Sequence, residues 1–192
     1  MSLRSSLAAI GLLVLFTSAA DAASTRESLA TIGTSATKNE INGWHLDVTP
    51  NGDGLPEGSG SAAVGAKIFA EKCAACHGVA ALGTKVPGRG PYPRLVGGFG
   101  TLTAKKPIKT VGSYWPYATG IFDYIRRAMP LYSPGSLSSE EVYALTAFIL
   151  AKNKAIPSNE IMNAATLPKV KMANAKNFFV SQEAIRATTR ER

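Results

Sequence analysis

The chain predicts a small all-α protein. Apolar residues recur at helical spacing in three segments, while no alternating series reads as strands and no internal repeat is present. A further feature indicates what three short helices would close around. Cys73-Ala74-Ala75-Cys76-His77 sets two thiols about one helical turn apart, with an imidazole directly after the second.

Residues 1–22 have the order of a secretory signal peptide: Arg4, the apolar run Ala8 to Phe16, then Ala20-Asp21-Ala22, with cleavage expected after Ala22. The apolar run is short for a membrane span, and no later segment approaches the roughly 20 apolar residues that a span requires. No cysteine lies near the cleavage point to carry a lipid. The expectation is a soluble protein exported to the periplasm. Loss of Arg4 and Asp21 together leaves the net charge at +8. Such a basic surface steers association with an acidic partner. The lysines are scattered rather than interleaved with stacking aromatics, which argues against nucleic acid.

Residues 23–60 read as an extended N-terminal arm, rich in Gly, Ser, Thr, Asn and Pro, with Asn51-Gly52-Asp53-Gly54 as a turn signal. His45 falls there as a polar loop residue. A domain follows over 61–155. Its first helix is expected from Ala62 to Cys73, with Val64, Ile68, Phe69 and Lys72 at helical spacing, and it delivers the chain into the thiol motif. From Gly78 to Thr110, Pro87, Gly88, Gly90, Pro91, Pro93, Gly97, Gly98, Gly100 and Pro107 forbid long regular elements and suit a loop wrapped around a flat cofactor.

A second helix is expected from about Tyr117 to Arg127, with Ile121, Tyr124, Ile125 and Ala128 on one face, stopping at Met129-Pro130. The third starts at a capping box, Ser138-Ser139-Glu140-Glu141, with Leu137 and Val142 placed as a hydrophobic staple. Leu145, Phe148 and Ile149 continue its apolar stripe, and Lys152 and Lys154 suit the negative end of its dipole. Residues 156–192 remain as a C-terminal extension.

Cys-x-x-Cys-His is the arrangement that attaches one haem c covalently, with His77 over the iron. A thioredoxin-like pair would need a flanking βαβ pattern, and a structural zinc site about four Cys/His ligands. Cys73 and Cys76 are the only cysteines, and His45 is the sole other histidine. A disulfide between the two thiols is the remaining alternative in an oxidising compartment, and the adjacent histidine favours haem. A buried porphyrin would also supply the apolar centre that three modest helices lack. Met129, in a helix-to-loop break before Pro130, is the candidate sixth ligand, with Met162 and Met172 as alternatives. A thioether favours the reduced iron and a comparatively high potential.

These features resemble class I cytochromes c over about residues 61–155. The resemblance implies three to five helices around one covalently bound haem, with extended arms at both ends. Gly65 and Phe69 resemble the Gly and aromatic of the family's N-terminal helix, which would meet Ala147 and Phe148 on the C-terminal helix. Pro93 resembles the proline whose carbonyl accepts a hydrogen bond from the proximal imidazole, and Trp115 the indole that donates to a haem propionate.

A narrower resemblance rests on Gly54-Leu55-Pro56-Glu57-Gly58-Ser59-Gly60, the segment Thr110 to Thr119, Asp123 to Pro130, and the tail Leu167 to Phe179. These are similar to the cytochrome partners of periplasmic molybdenum-containing sulfite and sulfane-sulfur dehydrogenases. The larger members carry two haems, whereas this chain has a single Cys-x-x-Cys-His. The implied role is electron transport in sulfur oxidation. The protein would not itself be an enzyme but a free carrier or a small electron-transfer subunit of a dehydrogenase: the dehydrogenase acts as donor, a downstream cytochrome or oxidase as acceptor, and Gly54 to Gly60 with Leu167 to Phe179 as part of the docking surface. The alternatives are a single-haem enzyme of thiosulfate dehydrogenase or peroxidase-like type, and the cytochrome partner of another periplasmic dehydrogenase.

Overall fold

The computed structural model describes residues 33–44, 46–87 and 90–179. The expected signal peptide and His45 lie outside the described residues. The chain divides into two units, 1–44 and 45–192. In the first, α1 (Lys38–Trp44) occupies part of the arm expected to be extended. Thr37 and Glu40 explain it: Glu40 N–H donates to Thr37 Oγ1 at 3.2 Å and Thr37 N–H to Glu40 Oε2 at 2.7 Å, a capping box that the loop-like composition conceals.

The second unit holds α2 (Ala62–Lys72), α3 (Ala74–His77), α4 (Ala118–Ala128) and α5 (Ser139–Lys152). Two short antiparallel ladders join them: β1 (Ser59–Ser61) with β4 (Ile161–Asn163), and β2 (Thr84–Val86) with β3 (Gly90–Tyr92). Short 3₁₀ turns follow at Leu167–Lys169 and Ala175–Asn177. No helix among the described residues is long and apolar enough to cross a membrane.

α5 is the central element. Ser138 Oγ accepts from Glu141 N–H at 3.3 Å and Glu141 Oε2 from Ser138 N–H at 2.9 Å, which completes its capping box. Lys72 at the end of α2 donates to the same carboxylate at 2.7 Å. The Lys72 bond, aided by the Ser138 N–H, holds the Glu141 carboxyl below the usual carboxylate range. From Val142 to Leu150 every residue is buried, so α5 is covered on all sides rather than along one stripe.

α2 crosses α5 at Gly65, where a side chain would run into the Ala144 carbonyl and lie 2.9 Å from Phe148 Cβ. Glycine permits that approach, and the Phe69 and Phe148 rings then meet at 5.0 Å between centroids. The residue seated on Gly65 is thus Ala144, one turn before the expected Ala147. The crossing also turns α2, so that Ala62, Gly65 and Phe69 are buried and Val64 faces solvent, 51% exposed. On α4, Phe122 joins Ile121 and Ile125 in the core in place of the expected Tyr124, and stacks on Tyr143 at 4.5 Å.

The C-terminal extension is built into this unit. Gly60 pairs with Met162 across the β1–β4 ladder, and Met162 and Leu167 are completely buried. Asn174, also buried, donates to Tyr114 O at 2.8 Å. Ile156, Met162, Leu167 and Met172 have no helical or strand period, so their core role is invisible to pattern reading.

Candidate functional site

The thiol motif begins where α2 ends. Cys73 N–H still donates to Phe69 O at 2.9 Å, and His77 N–H returns to Cys73 O at 2.9 Å, which coils Cys73 to His77 into a single turn. Gly78, at φ 77°, takes the chain out of that turn in a conformation costly for other residues. The Thr84 hydroxyl donates to Cys76 O and Gly83 N–H to His77 O, so the motif's backbone is anchored to the loop beneath it. Neither cysteine is in a disulfide. Burial, partly countered by Lys72, pushes the Cys73 thiol up to about 11.

His77 Nδ1 lies 2.9 Å from Pro93 O. A carbonyl can only accept, so Nδ1 carries the proton and Nε2 keeps its lone pair for a metal. The loop bearing Pro93 is itself pinned from α5. Asn153 Oδ1 accepts from Gly97 N–H at 3.0 Å, while Nδ2 donates to Leu95 O at 3.1 Å and Ile149 O at 2.9 Å. Asn153 was not singled out by sequence. Its only signal is a polar residue at a helix end, and its reach to a distant loop is a tertiary fact.

Two cavities meet at this histidine. The larger, about 370 Å³, is lined by Phe69, Lys72, Cys73, Cys76 and His77 from the first helices, Pro93 and Leu95 from the loop, Tyr124, Ile125 and Met129 around the end of α4, and Leu145 and Ile149 of α5. The smaller, about 220 Å³, shares His77, Pro93, Leu95, Tyr124, Ile125, Met129 and Ile149 and extends to Arg94, Lys109 and Trp115. Met129 caps α4 in an extended conformation (φ −123°, ψ 144°), followed by a cis bond to Pro130. Met162 and Met172 are buried in the core and line neither cavity. Trp115 borders the smaller cavity only, with its ring edge-on to Tyr124 at 5.7 Å. The structure thus gathers Cys73, Cys76, His77, Pro93 and Met129 around the larger cavity and places Trp115 on the adjoining smaller one.

That donor set suits a covalently attached porphyrin: two unjoined thiols one turn apart, an imidazole with its coordinating nitrogen free, a thioether, and walls that are otherwise largely apolar. Among the described residues no group of three His, Cys, Asp or Glu side chains converges, as a zinc site would require.

The two segments expected to dock a partner have internal duties. Tyr143 donates to Pro56 O at 2.8 Å and Gly60 packs on Ala144, whose Cβ would lie 2.8 Å from a side chain there. Leu167 and Met172 are buried, while Phe178 and Phe179 stay exposed.

The cytochrome c family model matches residues 62–152. No match is found among curated proteins. Among solved structures, a chain of the sulfane dehydrogenase SoxCD from Paracoccus pantotrophus is 36% identical, with a TM-score of 0.74, over 84% of this chain and 78% of that one. The sequence motif, the site it builds and these two matches agree: the chain belongs to the cytochrome c family.

Proposed function

We propose that this protein is a periplasmic carrier of single electrons with one haem c. It accepts electrons from a molybdenum-containing sulfite or sulfane-sulfur dehydrogenase and passes them to a downstream cytochrome or oxidase of the respiratory chain. One observation carries the reading: His77, its Nδ1 committed to Pro93, and Met129 line the same two cavities beside both thiols.

Haem c, when bound, supplies reversible one-electron chemistry at its iron. Cys73 and Cys76, both free of a disulfide, would hold it covalently through its two vinyl groups. His77 Nε2 and Met129 Sδ would be the donors that hold its iron. A nitrogen and a sulfur donor both supplied by this chain would leave no open position for substrate, which favours a carrier over a thiosulfate dehydrogenase or a peroxidase-like enzyme. Phe69, Leu95, Ile125, Leu145 and Ile149 exclude water from the space between them.

The dehydrogenase partner is supported by the 36% identity to a chain of a sulfane dehydrogenase. Rapid mixing of the oxidised protein with sulfite or a sulfane-sulfur compound plus the matching molybdenum dehydrogenase tests it. Reduction at the enzyme's turnover rate is expected. Failure of both enzymes to reduce the protein would remove them as donors.

A further inference from the structure

The C-terminal extension reaches the wall of the smaller cavity. Thr110, Val111, Tyr114 and Trp115 form one side of that space, on a stretch that belongs to no helix or strand. Thr110 ties the start of this wall to the neighbouring loop, its hydroxyl donating to Gly97 O at 2.7 Å. The other end is held by the extension: Asn174 Nδ2 donates to Tyr114 O at 2.8 Å, and the Phe178 ring stands edge-on to the Tyr114 ring at 5.5 Å. Asn174 is itself fixed. It is 6% exposed, its Oδ1 accepts from Asn177 Nδ2 at 2.9 Å, and Met172, two residues before it, is in the core. A buried amide is stable only with its polar ends satisfied, and here one end is committed to a residue 60 positions away.

We propose that Asn174, with Phe178, holds the Thr110 to Trp115 wall closed against water, so that the C-terminal extension sets the reduction potential of the haem-loaded protein. The proposal rests on the haem reading above. Asn174 acts through Tyr114 and is a positioning residue. The oxidised iron carries one more positive charge than the reduced iron and gains more from water, so a wall that admits water lowers the potential.

The test joins a spectroelectrochemical titration to amide hydrogen exchange, both on the reduced or titrated haem-loaded protein. Asn174→Leu keeps the bulk and removes the donor. It is expected to shift the ferric-to-ferrous ratio at fixed solution potential about threefold toward ferric. Exchange of the Thr110, Ser113 and Tyr114 amides, which are hydrogen-bonded within the wall, should quicken about tenfold. Phe179→Ala, altering an 89% exposed side chain, should match wild type in both readouts. An unchanged potential in Asn174→Leu would overturn the proposal, even if exchange quickened, because the contact would then be structural only. A lowered potential with unchanged exchange would overturn it too, since the effect would not pass through the wall. If Asn174→Leu does not accumulate, Phe178→Ala decides on the same two readouts: a smaller shift in the same direction is expected, and wild-type values refute the proposal. Wild-type protein that carries no haem would instead overturn the proposed function itself.

Discussion

His77 depends on a chain of single residues: its Nδ1 on Pro93 O, the Pro93 loop on Asn153, and Asn153 on the end of α5. Replacing Asn153 with Ala strands the Gly97 N–H and the Leu95 carbonyl, at a cost of about 2–3 kcal/mol. Thermal unfolding should show the loss, and the haem spectrum should broaden as His77 loses its fixed orientation. Met129→Ala removes the proposed thioether, so the variant's potential should fall and its reduced form should gain an open position that binds carbon monoxide. An unchanged spectrum would move the ligand elsewhere, although Met162 and Met172 line neither cavity. At this scale the thiols, His77 and Met129 are legible in sequence because their chemistry is carried by residue type and close spacing. Asn153 is not, because its partners Gly97 and Leu95 lie on a distant loop.

Helices α2 and α5 meet through a glycine rather than through the apolar stripe that periodicity alone suggests. A branched side chain at Gly65 must displace Ala144 and Phe148, so Gly65→Val should destabilise the protein by about 3 kcal/mol or more and lower the yield of haem-loaded chain, measured by denaturant unfolding. The start of α5 is set locally, by Ser138 and Glu141, which is why its boundary is readable from four residues. Glu141 also ties this helix to Lys72, whose ammonium holds the Glu141 carboxyl below the usual carboxylate range. A depressed carboxylate stabilises the fold above its ordinary pKa, and that contribution is lost as the pH falls through the lowered folded value. The stability difference between wild type and Glu141→Gln should therefore be present at neutral pH, begin to shrink as the pH falls into the ordinary carboxylate range, and vanish once it is below the lowered folded value. The faces of α2 and α4 were less legible: Val64 and Tyr124 fit the helical period, yet the close crossing at Gly65 and the rings of Phe122 and Tyr143 decide what is buried.

Over the whole molecule, residues 153–179 are part of the folded unit rather than an appendage. Truncation after Ala155 would expose the β1 edge and leave the places of Met162, Leu167 and Met172 empty, so the shortened chain should unfold at markedly lower temperature. Sequence patterning cannot show this, because the tail's apolar residues are irregularly spaced and find their partners only in the finished core. Phe178 and Phe179, by contrast, are exposed, with the Phe178 ring edge-on to Tyr114. With a net charge of +8, association with the proposed dehydrogenase should slow as salt increases if its docking face is acidic, with stopped-flow reduction as the measure. Whether the protein carries electrons or performs chemistry turns on whether its own residues close both axial positions. Exposure of the reduced wild-type protein to carbon monoxide tests that most directly: a spectrum that does not change is expected with His77 and Met129 both bound, and rapid formation of a carbon monoxide complex would contradict it.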